Sequence, residues 1–141
     1  MQKPSALIDT GTIVAVLERK DKWHLSCRKE LSQLKKPLLT SEAVLAELFH
    51  LIPEGQYWMD QTWKFLRSGV IVTAPIASSE FINLHRLMVQ YGDKPMDFAD
   101  ATLVYLAERE SINTIVTVDS DFQTYRIHGT RKFRVLPAER P

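Results

Sequence analysis

The chain has 141 residues, 45% of them apolar, with 18 basic and 17 acidic side chains and a formal charge of +1. That length suits one domain, residues 1–141, able to bury a core. The near-neutral balance excludes a whole-protein electrostatic argument for nucleic acid. Cys27 is the only cysteine, which excludes an intrachain disulfide and a cysteine-based zinc cluster and suits a reducing cytosol. The apolar run in MQKPSALIDTGTIVAVLERK is too short and too interrupted to cross a membrane. It also lacks a small-residue cleavage site behind a basic region, so a cytoplasmic protein without a membrane span is expected.

In chain order, SALID predicts a short buried strand, followed by an apolar-periodic helix from Thr12 to about Glu18. A second helix is predicted from Asp21 to Leu34, with Trp23, Cys27, Leu31 and Leu34 at helical spacing. PLLT is a brief strand, and Ser41 is an N-cap for the helix SEAVLAELFHLI, which ends before Pro53. YWMDQTWKFLRS reads as a helix stopped at Gly69, and VIVTA as a β-branched strand. Ser78 or Ser79 caps a helix to about Tyr91, another helix runs from Asp97 to about Glu110, and the strands TIVTV and FRVLP follow. Short apolar strands alternating with helices of this length indicate parallel βαβ units. The expected fold is α/β, a three-layer α/β/α sandwich with a short, mostly parallel sheet of four or five strands. Sites in such folds form at the carboxyl ends of the strands.

The acids fall where that rule directs attention. Asp9 directly follows ALI and Asp119 directly follows TIVTV, so the two converge if their strands are neighbours. Glu47 lies on or beside the apolar face of its helix, and Asp97 and Asp100 occupy the first turn of another, near the positive end of its dipole. Each acid alone has an ordinary explanation. Asp97 and Asp100 resemble a capping box, Asp9 and Asp119 are common turn starters, and Glu47 suits a surface flank. Asp121 reads as a turn residue or a support for its neighbour. Their joint placement from separate elements is harder to assign to chance. Converging carboxylates repel and raise one another's pKa unless a cation neutralises them. Without cysteine or paired histidine ligands, that cation is a hard one such as Mg²⁺ or Mn²⁺, in a site suited to phosphodiester chemistry.

LIDTGTIVAVL, TSEAVLAELFHL, MDFADATLVYLAE and IVTVDSDF, in this order, resemble the four motif blocks of PIN-domain ribonucleases, most closely the VapC-type toxins of toxin–antitoxin pairs. They span Leu7 to Phe122. The resemblance implies a PIN-like fold and a Mg²⁺- or Mn²⁺-binding pocket in which Asp9, Glu47, Asp100 and Asp119 are the catalytic and metal-binding acids. It implies supporting roles for Thr12, Asp97 and Asp121. Thr10 and Thr12 match hydroxyl positions beside the first acid, with Thr12 the one expected to hold Asp9 or a water of the metal. Val118 departs from the family, where a basic residue before the aspartate is frequent. The implied reaction is hydrolysis of RNA by a metal-activated water. The implied partners are the RNA substrate, a small antitoxin protein laid over the acidic groove, and a second copy in a homodimer.

Other assignments fit less well. Asp9 after a strand resembles the nucleophile of haloacid-dehalogenase-type phosphatases, but those need a second aspartate where Gly11 stands. DTGT resembles the phosphate loop of actin-like ATPases, whose fold needs far more chain. The alternative of a different class is a catalytically inactive RNA-binding or regulatory module of the same fold. Basic residues in RIHGTRKFR, Arg126, Arg131 and Lys132 among them, are candidates for holding RNA near the acids.

Overall fold

The computed structural model describes residues 3–94 and 96–141. In chain order they form β1 (Leu7–Ile8), α1 (Thr10–Leu17), α2 (His24–Gln33), β2 (Leu38–Thr40), α3 (Glu42–Leu51), α4 (Gln56–Leu66) and β3 (Ile71–Thr73). Then come α5 (Phe81–Gln90), α6 (Phe98–Glu110), β4 (Thr114–Val116), β5 (Arg126–Ile127), β6 (Arg131–Lys132) and β7 (Arg134–Leu136). Single turns of 3₁₀ helix precede α5 at Ser78–Glu80 and follow β4 at Ser120–Gln123.

Five strands make one sheet in the order β3-β2-β1-β4-β7, and every pairing in it is parallel. The α/β architecture and five-stranded parallel sheet agree with the sequence expectation. Parallel pairing explains why the strands read as unbroken apolar runs: Leu7, Ile8, Ile115 and Val116 are wholly buried. From β1 the chain steps outward to β2 and β3, then crosses back to β4 on the other side of β1. Right-handed crossovers consequently send the helices after β1 and β2 to one face and those after β3 to the other. The reversal makes the gap between the ends of β1 and β4 a topological switch point, where ligands of open α/β sheets bind.

Helix α6 is the centre of its layer. Ala99 to Val104, Leu106 and Ala107 are all buried, so it is apolar on nearly every side, as a helix covered by neighbours must be. Its N-terminus is fixed by Asp97, whose carboxylate accepts from the Asp100 amide at 2.8 Å. Ser41 likewise caps α3 by accepting from Val44 N.

Two expectations differ. The first helix begins at Thr10 rather than Thr12, because the Asp9 side chain accepts from Thr10 N and makes Asp9 itself the N-cap. The second begins at His24, since the Asp21 carboxylate turns back to accept from Trp23 N in a local turn. A small antiparallel ribbon, β5 with β6, was also not predicted.

Candidate metal centre

Asp9 stands at the exit of β1. Its amide donates to Val116 O of the neighbouring strand at 3.2 Å, so the acid is tied to both sides of the switch point. One carboxylate oxygen accepts from Thr10 N at 2.7 Å, and the other accepts from Thr117 Oγ1 at 2.9 Å. Thr117 Oγ1 also accepts from Asp119 N at 3.0 Å. One wholly buried hydroxyl thereby links the acids that end β1 and β4. Asp119 caps the next turn by accepting from Asp121 N at 2.9 Å.

Asp100 enters from α6. Its Oδ2 accepts from the hydroxyl of Tyr125 at 3.0 Å, and the Tyr125 ring is held edge-on against Tyr91 and Phe122. Oxygens of Asp9, Asp100 and Asp119 all lie within 4.8 Å of one another. Glu47 reaches in from α3, half-buried, where Thr10 Oγ1 donates to its Oε1 at 3.0 Å. Asp97 is exposed at the rim and adds its charge to Glu47 and Asp100.

The electrostatics follow from burial and like charge. Burial, then the charges of Asp97 and Asp9, pushes the Asp100 carboxyl up to about 8. Burial raises Asp9 to about 6 against the pull of its two hydrogen bonds. Glu47 and Asp119 are raised as well, burial again leading. Such a set is costly as it stands, and a cation removes the cost. The donors are all carboxylate oxygens, with no sulfur or nitrogen among the three converging ligands, so they fit a hard divalent ion.

The loop bearing Asp119 is packed from two sides. A Cβ on Gly11 would lie 2.6 Å from Val118 Cγ2, so any larger residue there must push the Val118 side chain aside. From the other side, Arg140 donates to the carbonyls of Val118 and Thr117 at 3.2 and 3.4 Å. Its guanidinium lies 5.2 Å from the centroid of the Trp23 ring.

Of the residues singled out from sequence, Asp9, Asp100 and Asp119 meet, Glu47 and Asp97 flank them, and Asp121 supports Asp119 through its backbone. Thr12 does not hold Asp9. It is wholly buried, and its hydroxyl donates to Val116 O at 3.0 Å, because the earlier start of α1 turns it toward the sheet. Thr117 is the hydroxyl that bonds Asp9; its signal was its place two residues before Asp119 at a strand end. Tyr125 was also missed, and nothing local marks it. Arg126 donates through Nη1 alone to the carbonyls of Gln123, Thr124 and Tyr125. Arg131 and Lys132 are exposed on β6. The tip of that ribbon is tied to Glu108, whose carboxylate accepts from His128 N at 2.7 Å. The ribbon pairs Arg126 with Lys132 and Ile127 with Arg131, and it follows directly on Tyr125, whose hydroxyl donates to Asp100.

A family model for the PIN domain matches residues 6–127. Ribonuclease VapC26 of Mycobacterium tuberculosis is 28% identical over 135 residues, covering 93% of this chain and 99% of that protein. Among solved structures, Mycobacterium tuberculosis VapC20, described as a Sarcin-Ricin loop cleaving toxin, matches with a TM-score of 0.75 and 20% identity. That match covers 85% of this chain and 94% of the other, and at this identity it is a likeness of fold.

Proposed function

Since the chain belongs to the PIN-domain family, we propose that it is a Mg²⁺- or Mn²⁺-dependent endoribonuclease acting as the toxin of a toxin–antitoxin pair. The observation that carries this reading is the meeting of three carboxylates from distant parts of the chain at the switch point of the sheet. Converged acids with raised pKa values favour catalysis over a binding module that has lost it. The similarity to Ribonuclease VapC26 supports RNA as the substrate and a small antitoxin as the partner. A homodimer and a cytoplasmic location are part of the same proposal. Among the described residues, no helix is long and apolar enough to cross a membrane.

Asp9, Asp100 and Asp119 hold the ion in this account, and Glu47 borders it from α3. A bound Mg²⁺ or Mn²⁺ supplies Lewis acidity toward a phosphodiester oxygen and a water of lowered pKa. The protein's share is to fix that chemistry in place. Thr117 sets the spacing of Asp9 and Asp119 through one hydroxyl, and Tyr125 aims Asp100. Glu47, held by Thr10 Oγ1, would take the proton of the attacking water in this reading, and no side chain would become bonded to phosphorus. Asp97 and Asp121 hold the backbone of the first turn of α6 and of the Asp119 loop. Arg126, Arg131 and Lys132 contact RNA phosphates beside the acids in this reading.

The test is cleavage of labelled total RNA by the purified protein with Mg²⁺ or Mn²⁺ and with chelator, beside Asp9→Asn purified in parallel. Metal-dependent cleavage lost in the variant supports the proposal. Cleavage that survives equally in the variant, or none by either protein on any RNA tried, counts against it.

A further inference from the structure

The sheet stops short of the acids on the β4 side. β4 pairs with β7 as far as Val116 with Leu136, and Thr117 N donates to Leu136 O at 2.9 Å at the end of that pairing. Carbonyls beyond this point must find donors elsewhere, because an unpaired backbone group out of water is costly. Val116 O accepts from Asp9 N at 3.2 Å and from Thr12 Oγ1 at 3.0 Å. Thr117 O and Val118 O both accept from Arg140, through Nη2 at 3.4 Å and Nη1 at 3.2 Å. One side chain thus carries on where the strand ladder ends, up to the residue before Asp119.

Arg140 follows β7, and its half-buried guanidinium lies 5.2 Å from the centroid of the Trp23 ring at the start of α2. Held over that ring, the planar group has its fork fixed in direction, which the single ammonium of a lysine cannot reproduce. It is not engaged with a carboxylate: among the described residues the salt bridges are those of Arg109 with Glu80 and Glu110. The oxygens of Asp9, Asp100 and Asp119 are therefore left open to a cation. The backbone that Arg140 grips carries the Thr117 hydroxyl, which donates to Asp9 and accepts from Asp119 N. A shift of this backbone moves both acids together.

We propose that Arg140 is a positioning residue of the metal centre, which holds the carbonyls of Thr117 and Val118 from the Trp23 ring and so sets Asp119 against Asp9. The proposal rests on the reading of the acids as a metal centre and deepens it. Arg140 touches neither ion nor substrate in this account; it acts through the backbone.

The test compares wild type, Arg140→Ala, Arg140→Lys and Glu139→Ala, each as the full chain. Mn²⁺ affinity is measured by electron paramagnetic resonance, and amide hydrogen exchange of the metal-free proteins by NMR. Arg140→Ala weakens Mn²⁺ binding about tenfold, the low end of what losing an outer partner of a metal ligand costs. It also speeds exchange at the amides of Asp119 and Asp121 and leaves the amides of β1 unchanged. Arg140→Lys falls between wild type and Arg140→Ala, and Glu139→Ala, exposed on the same segment, matches wild type in both measurements. If wild type takes up Mn²⁺ and Arg140→Ala takes it up equally well, the positioning role is overturned and the metal centre stands. If Arg140→Lys binds as wild type does, charge alone suffices and the role is overturned. Weaker binding by Arg140→Ala without faster exchange at Asp119 and Asp121 overturns it too. No uptake by wild type removes the metal centre and this role with it.

Discussion

Replacing Asp9 by asparagine is expected to make the metal-free protein more stable while removing its capacity for metal. The Asp9 carboxyl is only 6% exposed and is pushed from 3.8 up to about 6. A group whose folded pKa is raised holds its proton more tightly in the folded state. Its contribution to stability is therefore full below about pH 4 and is lost as the pH rises through about 6. A shift of about two pH units corresponds to about 3 kcal/mol lost once the group is charged. Asparagine escapes that cost. Its carbonyl oxygen keeps the bond from Thr10 N, and its amide faces Thr117 Oγ1, whose own proton then loses its acceptor at a cost of about 1 kcal/mol. The balance is a gain of about 2 kcal/mol, or a Tm rise of about 5 °C for a domain of this size. Thermal unfolding followed by circular dichroism in chelator at about pH 8 and about pH 3.5 measures it. The account predicts a more stable variant at the higher pH and no advantage at the lower. With excess Mn²⁺ at the higher pH the order reverses, because only the wild type gains binding energy. A variant no more stable than wild type at about pH 8 in chelator, or equally favoured at both pH values, would refute the reasoning.

Further outcomes follow from the same geometry. Thr117→Val removes the hydroxyl shared by Asp9 and Asp119 and should weaken Mn²⁺ binding about tenfold or more, whereas Thr12→Val leaves metal affinity nearly unchanged; titration of both variants checks the contrast. Tyr125→Phe removes a hydrogen bond that holds the Asp100 pKa down. Asp100 then titrates higher, and the pH at which metal binding reaches half its plateau moves upward; a fixed midpoint would argue against the contact. Gly11→Ala forces Val118 aside and should cost about 1–3 kcal/mol in urea unfolding, with nuclease activity falling as the Asp119 loop is displaced.

Periodicity made the architecture legible because short apolar strands buried on both faces and capped helices leave local marks. Ser41 and Asp97 are such marks, and both cap their helices as the chain suggests. The strand-end positions of Asp9 and Asp119 were legible for the same reason, since a parallel sheet puts both ends on one edge. The β5–β6 ribbon was not, because strands of two residues carry no period and its basic residues read as a charge run. Its turn depends on His128 and Gly129 at φ 51° and 74°. Thr12 and Thr117 could not be ranked from sequence, because that order depended on where α1 begins. Tyr125 is a tertiary event: its partner Asp100 lies 25 residues earlier, and only packing on Phe122 and Tyr91 aims the hydroxyl at it.

The central claim, that these acids form a metal centre, is tested most directly by titrating the purified protein with Mn²⁺ and following the free ion by electron paramagnetic resonance. Wild type, Asp9→Asn, Asp119→Asn and Thr12→Val are compared at one neutral pH. The account predicts uptake by wild type and Thr12→Val, and its loss in both aspartate variants. Equal uptake by all four proteins, or none by wild type, would contradict it.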